Sequence, residues 1–134
     1  MFNEILTTIN NLAGKVFDEA CEALERCVDS DRQFIKTLRQ IETIPESFAH
    51  DSTEEKLFSK ASDMVLARAF RELGLKSTVL RERSDSADVI AESKFHCYTL
   101  VADAKSFRLS RTAKNQKDFK VTALSNWSEG GRKF

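Results

Sequence analysis

The sequence predicts a mixed α/β chain of the α+β kind, with helices first and a small sheet after them. Three observations predict it. Apolar residues recur at helical spacing through the first 43 residues. A capping box, Ser52-x-x-Glu55, then opens a longer helical run that ends near Gly74. Beyond that glycine come three short apolar runs bounded by polar and turn residues, the pattern of short strands. The chain therefore divides into an N-terminal helical region, 1–45, and a mixed region, 46–134.

The elements follow in order. Residues 3–13, 15–28 and 31–43 read as helices; in the second, Val16, Ala20, Ala23, Leu24 and Cys27 form one apolar face. Asp29 and Ser30 supply a cap between the second and third helices. Pro45, the only proline, closes the third. The capping box starts the fourth helix at Ser52. Strands are predicted near 77–82, 87–92 and 98–106, and a last helix from about 112 to 126. Repeats and low-complexity segments are absent from the sequence.

Composition narrows the function classes. The 134 residues suffice for one domain with a modest core. Cys21, Cys27 and Cys97 are odd in number and lack any C-x-x-C spacing, which favours a reduced cytosol over disulfides or zinc. The N-terminus, with Asn3 and Glu4, lacks a basic leader, and no apolar run approaches ~20 residues, so no membrane association is expected. Net charge is zero but unevenly spread. Residues 1–63 carry 7 basic and 13 acidic groups, and residues 64–134 carry 14 basic and 8 acidic. The basic half also holds the chemistry.

That chemistry starts at Asp88, fifteen residues before Asp103-Ala104-Lys105. Val89-Ile90-Ala91 and Tyr98 to Ala102 are apolar, and Glu92 to Cys97 between them is mostly polar, so the segment reads as a β-hairpin. With its turn centred between Phe95 and His96, Asp88 falls opposite Asp103, and directly opposed Cβ atoms lie roughly 5 Å apart. Two carboxylates at that spacing can share a cation. Asp103 and Lys105 lie two residues apart and so share a face of the strand. Mg²⁺ is bound through one or two carboxylates plus waters and substrate phosphate, which leaves positions for a phosphodiester and the attacking water. Lys105 supplies positive charge to the transition state and orients or helps deprotonate the water. His96 belongs to the exposed turn.

The segment from Lys105 to Lys120 forms a second constellation. Arg108, Arg111, Lys114, Lys117 and Lys120 face a single acid, Asp118, with Asn115 and Gln116 amid the run. Lysines and arginines contact phosphates, whereas amide side chains, Arg and Lys read base edges. The competing reading is a solvated helix face. Glu55 and Glu82 are the alternatives for a further metal carboxylate; Glu55 is equally explained by its cap, and Glu82 is flanked by Arg81 and Arg83.

These residues resemble a known family. Asp88 with Asp103-Ala104-Lys105 fits the D-x(10–20)-(D/E)-x-K core of the PD-(D/E)xK nucleases. The run from Leu100 to Val121, together with Ser52 to Ala61 and Asp88 to Ala91, resembles the HindIII-type type II restriction endonucleases in the same order. The resemblance covers roughly residues 44 to 127. Ala87 stands where the wider superfamily often has proline, and such enzymes run to about twice this length. The chain thus reads as the N-terminal and catalytic-motif portion of one, with a partial restriction-endonuclease-like core. The resemblance implies Mg²⁺-dependent hydrolysis of double-stranded DNA at a short palindrome, AAGCTT if specificity follows the family, leaving 5′-phosphates. It implies that Asp88, Asp103 and the Ala104 carbonyl hold the metal, that Lys105 acts on the water, and that Asn115 and Lys117 contact bases from a helix starting near Thr112. A homodimer of the full-length form and a cognate DNA methyltransferase are the implied partners. A remnant that binds DNA without cleaving it is the alternative.

Overall fold

The computed structural model describes residues 2–80, 88–109 and 121–130. Helices α1 (Phe2–Leu12), α2 (Phe17–Asp29), α3 (Phe34–Gln40) and α4 (Thr53–Glu72) come first. Strands β1 (Lys76–Val79), β2 (Val89–Glu92) and β3 (Thr99–Ala102) follow, and helix α5 (Val121–Gly130) comes last. This is the α+β class that the periodicities predict. Among the described residues no helix is long and apolar enough to cross a membrane.

The helices share one core. Ile5 and Ile9 of α1, Ala20, Cys21, Leu24 and Val28 of α2, and Leu57, Phe58, Ala61, Met64 and Val65 of α4 are buried together. Their spacings are those of one apolar stripe per helix. Phe58 sits between the edges of Phe2 and Phe48, at ring separations of 6.2 and 6.1 Å. Full burial of one such ring contributes about 2 kcal/mol before packing terms.

Both ends of α4 have local causes. Ser52 Oγ accepts a hydrogen bond from the Glu55 N–H at 3.2 Å, which is half of the expected capping box. At the other end Gly74 adopts φ +87°, its N–H donates to the Arg71 carbonyl, and the Leu75 N–H donates to the Phe70 carbonyl. That pair of bonds is a Schellman stop, and the left-handed residue it needs is the glycine.

The join between α2 and α3 differs from expectation. Ser30 closes α2, its hydroxyl donating to the Arg26 carbonyl at 2.9 Å. Asp31, not Asp29, holds the start of α3: its carboxylate accepts from the Gln33 N–H at 2.8 Å and from the Thr37 hydroxyl. Asp29 instead pairs with Arg71 at 2.7 Å. Helix α3 ends at Gln40, five residues before Pro45, so the proline does not stop it.

The three strands form one antiparallel sheet in the order β1-β2-β3. β2 is central and Val89, Ile90 and Ala91 are all buried, which explains a continuous apolar run instead of alternation. Each strand is four residues long, shorter than the runs that suggested them. In the hairpin Val89 pairs with Ala102 and Ile90 with Val101, the register expected for a turn between Phe95 and His96. Cys97 takes up the turn with φ +52°. After β3 the chain runs back beside residues 42–44: the Phe107 N–H donates to the Glu42 carbonyl at 2.8 Å and the Ile44 N–H to the Phe107 carbonyl at 3.0 Å. This return holds the Asp103-to-Ser106 stretch near α4.

Candidate metal centre

Asp88 precedes the first residue of β2, and its carbonyl accepts the Leu80 N–H at 2.8 Å, which continues the β1–β2 ladder by one bond. Asp103 follows the last residue of β3. Continued by one pair, the observed register sets the two aspartates opposite each other. The structure adds a third carboxylate, Asp63 of α4. One carboxylate oxygen from each of Asp63, Asp88 and Asp103 lies within 4.8 Å of the other two. Lys105 joins them, its Nζ lying 2.8 Å from Asp103 Oδ2.

Electrostatics identify Asp63 as the unusual member. Burial pushes its carboxyl up to about 7, Asp88 and Asp103 push the same way, and Lys60 and the Ala104 backbone hydrogen bond oppose them. Lys60 Nζ is 3.9 Å from Asp63 Oδ2. Asp63 Oδ1 is buried and has no hydrogen-bond partner among the described residues. An oxygen in that state lacks a cation or a proton. The donors are all hard oxygens, and ligands at ~2.1 Å from one Mg²⁺ span up to ~4 Å across the ion, so the cluster suits a divalent cation of that class.

The raised Asp63 value sets a pH dependence for the metal-free protein. The folded state binds a proton between pH 3.8 and about 7 that the unfolded state releases, so stability falls as pH rises through that window and levels off above it. Asp63→Asn should flatten this slope. Urea unfolding at pH 5 and pH 8 without metal measures it, and an unchanged slope in the variant would refute the assignment.

Asp63 escaped the sequence reading. Its signal was present: Ala61 to Val65 are all buried, and Asp63 is the one charge among them. Glu55 lies elsewhere. It precedes Asp63 by eight residues, a rise of about 12 Å along the helix. Its carboxylate accepts two bonds from the Arg108 guanidinium, from Nε at 3.1 Å and from a terminal nitrogen. A second acidic group, His50, Asp51 and Glu55, gathers there, with Glu55 already engaged by arginine.

Arg108 also departs from expectation. It is buried, and besides Glu55 it donates to the Phe48 and Pro45 carbonyls. Its guanidinium is engaged by a carboxylate and two loop carbonyls, which ties the segment after β3 to the start of α4. Arg108→Ala should destabilise the fold by about 3 kcal/mol, the scale for stranding a partner of a buried ion pair. Denaturant unfolding tests this, and a loss below about 1 kcal/mol would contradict it. Glu82, Arg111, Lys114, Asn115, Lys117 and Lys120 lie outside the described residues, as does 112–120 of the predicted last helix.

Comparison with known proteins adds the family. The family model described as HindIII restriction endonuclease matches residues 3–134. The chain belongs to that family. It is 52% identical over 128 residues to the Type II restriction enzyme HindIII of Haemophilus influenzae, an alignment covering 94% of this chain and 43% of that protein. The chain thus spans less than half the length of this HindIII relative.

Proposed function

We propose that this chain carries the catalytic motif of a type II site-specific deoxyribonuclease that hydrolyses double-stranded DNA with Mg²⁺. The observation that supports it most is the convergence of Asp63, Asp88, Asp103 and Lys105 from a helix and two strands far apart in sequence. Asp88, Asp103 and the Ala104 carbonyl would hold the ion, with Asp63 as the added carboxylate. When bound, Mg²⁺ supplies Lewis acidity to the phosphate and a more acidic water.

The residues themselves do the rest. Asp88, whose carbonyl is bonded to the Leu80 N–H, and Asp103, next to the last residue of β3, flank the ladder end, so the ion they would hold has a fixed place relative to the sheet. Lys105, held beside Asp103, places a positive charge where the pentavalent phosphorus gains negative charge, and it orients the water for attack. The bond broken is P–O3′, so that 5′-phosphates result. A short palindromic site, AAGCTT if this chain reads what the family's name suggests, requires a two-fold assembly, hence a homodimer of the full-length form. A cognate methyltransferase and a cytoplasmic setting belong to the same proposal.

In the basic segment, Arg111, Lys114 and Lys120 are assigned to phosphate contact, with Asn115 and Lys117 as base readers. Lys114→Ala and Lys120→Ala should weaken binding to every sequence and lower the salt slope by about one each. Asn115→Ala should cost ~1–3 kcal/mol mainly on the cognate site. Titrations on cognate and random duplexes separate the two classes. Equal losses on both for Asn115→Ala would remove it from the readers.

The deciding experiment is Mg²⁺-dependent plasmid cleavage by this chain beside a full-length relative. Discrete site-specific products from both support the reading. Because the chain matches 43% of its relative, binding without cleavage by this chain is the second reading, and it is recognised by a DNA mobility shift with intact plasmid.

A further inference from the structure

We infer that Ser62 and Ser106 are positioning residues whose hydroxyl contact clamps Asp103-Ala104-Lys105 onto α4 at the spacing the carboxylate cluster requires. Ser62 is the residue before Asp63, and Ser106 is the residue after Lys105. Their Oγ atoms are 2.6 Å apart, and this contact joins residues 44 positions apart in the chain. The inference rests on the metal-dependent reading of the site given above.

The clamp requires the Ser62 hydrogen to turn from the Phe58 carbonyl, 3.0 Å away, to Ser106, 2.6 Å away. Two hydroxyl hydrogens serve three contacts: Ser62 Oγ lies 3.0 Å from the Phe58 carbonyl, Ser106 Oγ lies 2.6 Å from the Ile41 carbonyl, and the two oxygens touch each other. With Ser62 donating to Ser106 and Ser106 donating to Ile41, both hydrogens are used. The resulting chain runs from α4 through the motif segment to Ile41, the residue that caps the end of α3. Three elements are then tied beside the cluster.

Position 62 otherwise invites an apolar residue. It lies in a fully buried stretch of α4, where a hydroxyl is unfavourable unless it is bonded. A second tie between α4 and the motif is the hydrogen bond of the Ala104 backbone to the Asp63 carboxylate. The serine pair adds a contact between two side chains to that attachment. It flanks Asp63 on the helix and Lys105 on the strand exit, so its loss lets the motif lift from the helix and widens the gap between Asp63 and Asp103.

The test uses Ser62→Ala, Ser106→Ala and Ser106→Thr in the full chain. Mn²⁺ affinity is read by electron paramagnetic resonance without DNA, cleavage by kcat and KM, and folding by thermal melting. Both alanine variants should weaken Mn²⁺ binding about five- to tenfold, the scale of one lost hydrogen bond, and lower kcat by a similar factor with KM for DNA unchanged. Ser106→Thr, which keeps the hydroxyl, should restore both. A purely structural contact would lower the melting temperature of the alanine variants while their folded fraction bound Mn²⁺ as the parent does, and that result overturns the inference. So does a threonine variant as impaired as the alanine one. A parent chain that binds Mn²⁺ but cuts no DNA defeats the nuclease reading, while the Mn²⁺ shift still decides the clamp; a parent that binds no Mn²⁺ overturns both.

Discussion

Asp103→Asn is expected to abolish Mg²⁺-dependent cleavage while leaving DNA binding intact. Asp103 lies beside Asp63 and Asp88 in a cluster of three like charges, and its Oδ2 also holds Lys105. Asparagine keeps the size and one oxygen but removes the charge that balances a divalent ion. The fold should not suffer. Removing one of three mutually repelling carboxylates relieves the metal-free protein, so its stability without Mg²⁺ should equal or exceed that of the parent. Cleavage with and without Mg²⁺, a mobility shift and metal-free denaturation together check this. Parent-like Mg²⁺-dependent cleavage by the variant would exclude Asp103 from the metal site.

Lys105→Ala should bind metal and DNA yet lose at least ~100-fold in rate, the usual scale for one positioned acid–base or electrostatic group. The Lys105 side chain is three-quarters covered and its Nζ lies 2.8 Å from Asp103, so its charge acts at short range with partial shielding from water. Because Lys105 partly neutralises Asp103, its removal should leave metal affinity equal or higher. Single-turnover cleavage at saturating Mg²⁺ isolates the chemical step. Parent-like turnover would make Lys105 a surface lysine that happens to sit beside the motif.

How far the residues themselves foretold this arrangement depends on the kind of constraint. The hairpin register was legible because two apolar runs of known length flank a polar turn, and period two then fixes which residues oppose each other; Val89 opposite Ala102 follows directly. The stop at Gly74 was legible for a similar local reason. Asp63 was not, because a helical repeat says which face is buried but not what that face meets. Its partners lie 25 and 40 residues further along the chain. The burial of Arg108 was hidden for the opposite reason. Within a run of basic residues this arginine looks like its neighbours, and the Glu55 carboxylate and the carbonyls of Pro45 and Phe48, distant in sequence, distinguish it. Asp31 displaced Asp29 as the cap because the turn between α2 and α3 is two residues later than helical spacing alone suggests.

Helix α4 anchors two unlike things at fixed phase. Glu55 is tied to Arg108 and Asp63 faces the sheet, and eight residues turn the helix by about 800°, so the two side chains point some 80° apart. Substitutions between them leave that angle alone. One inserted or deleted residue does not: it swings Asp63 by about 100° away from Asp88 and Asp103 while the Arg108 anchor stays in place. The stretch from Lys56 to Ser62 can therefore vary at its exposed positions but not in length, a rotational rule on how this protein can evolve. Compensation would need a whole number of turns, and about seven residues is the shortest change that nearly restores the phase, at the expense of a shift of roughly 10 Å along the axis that the sheet could not follow.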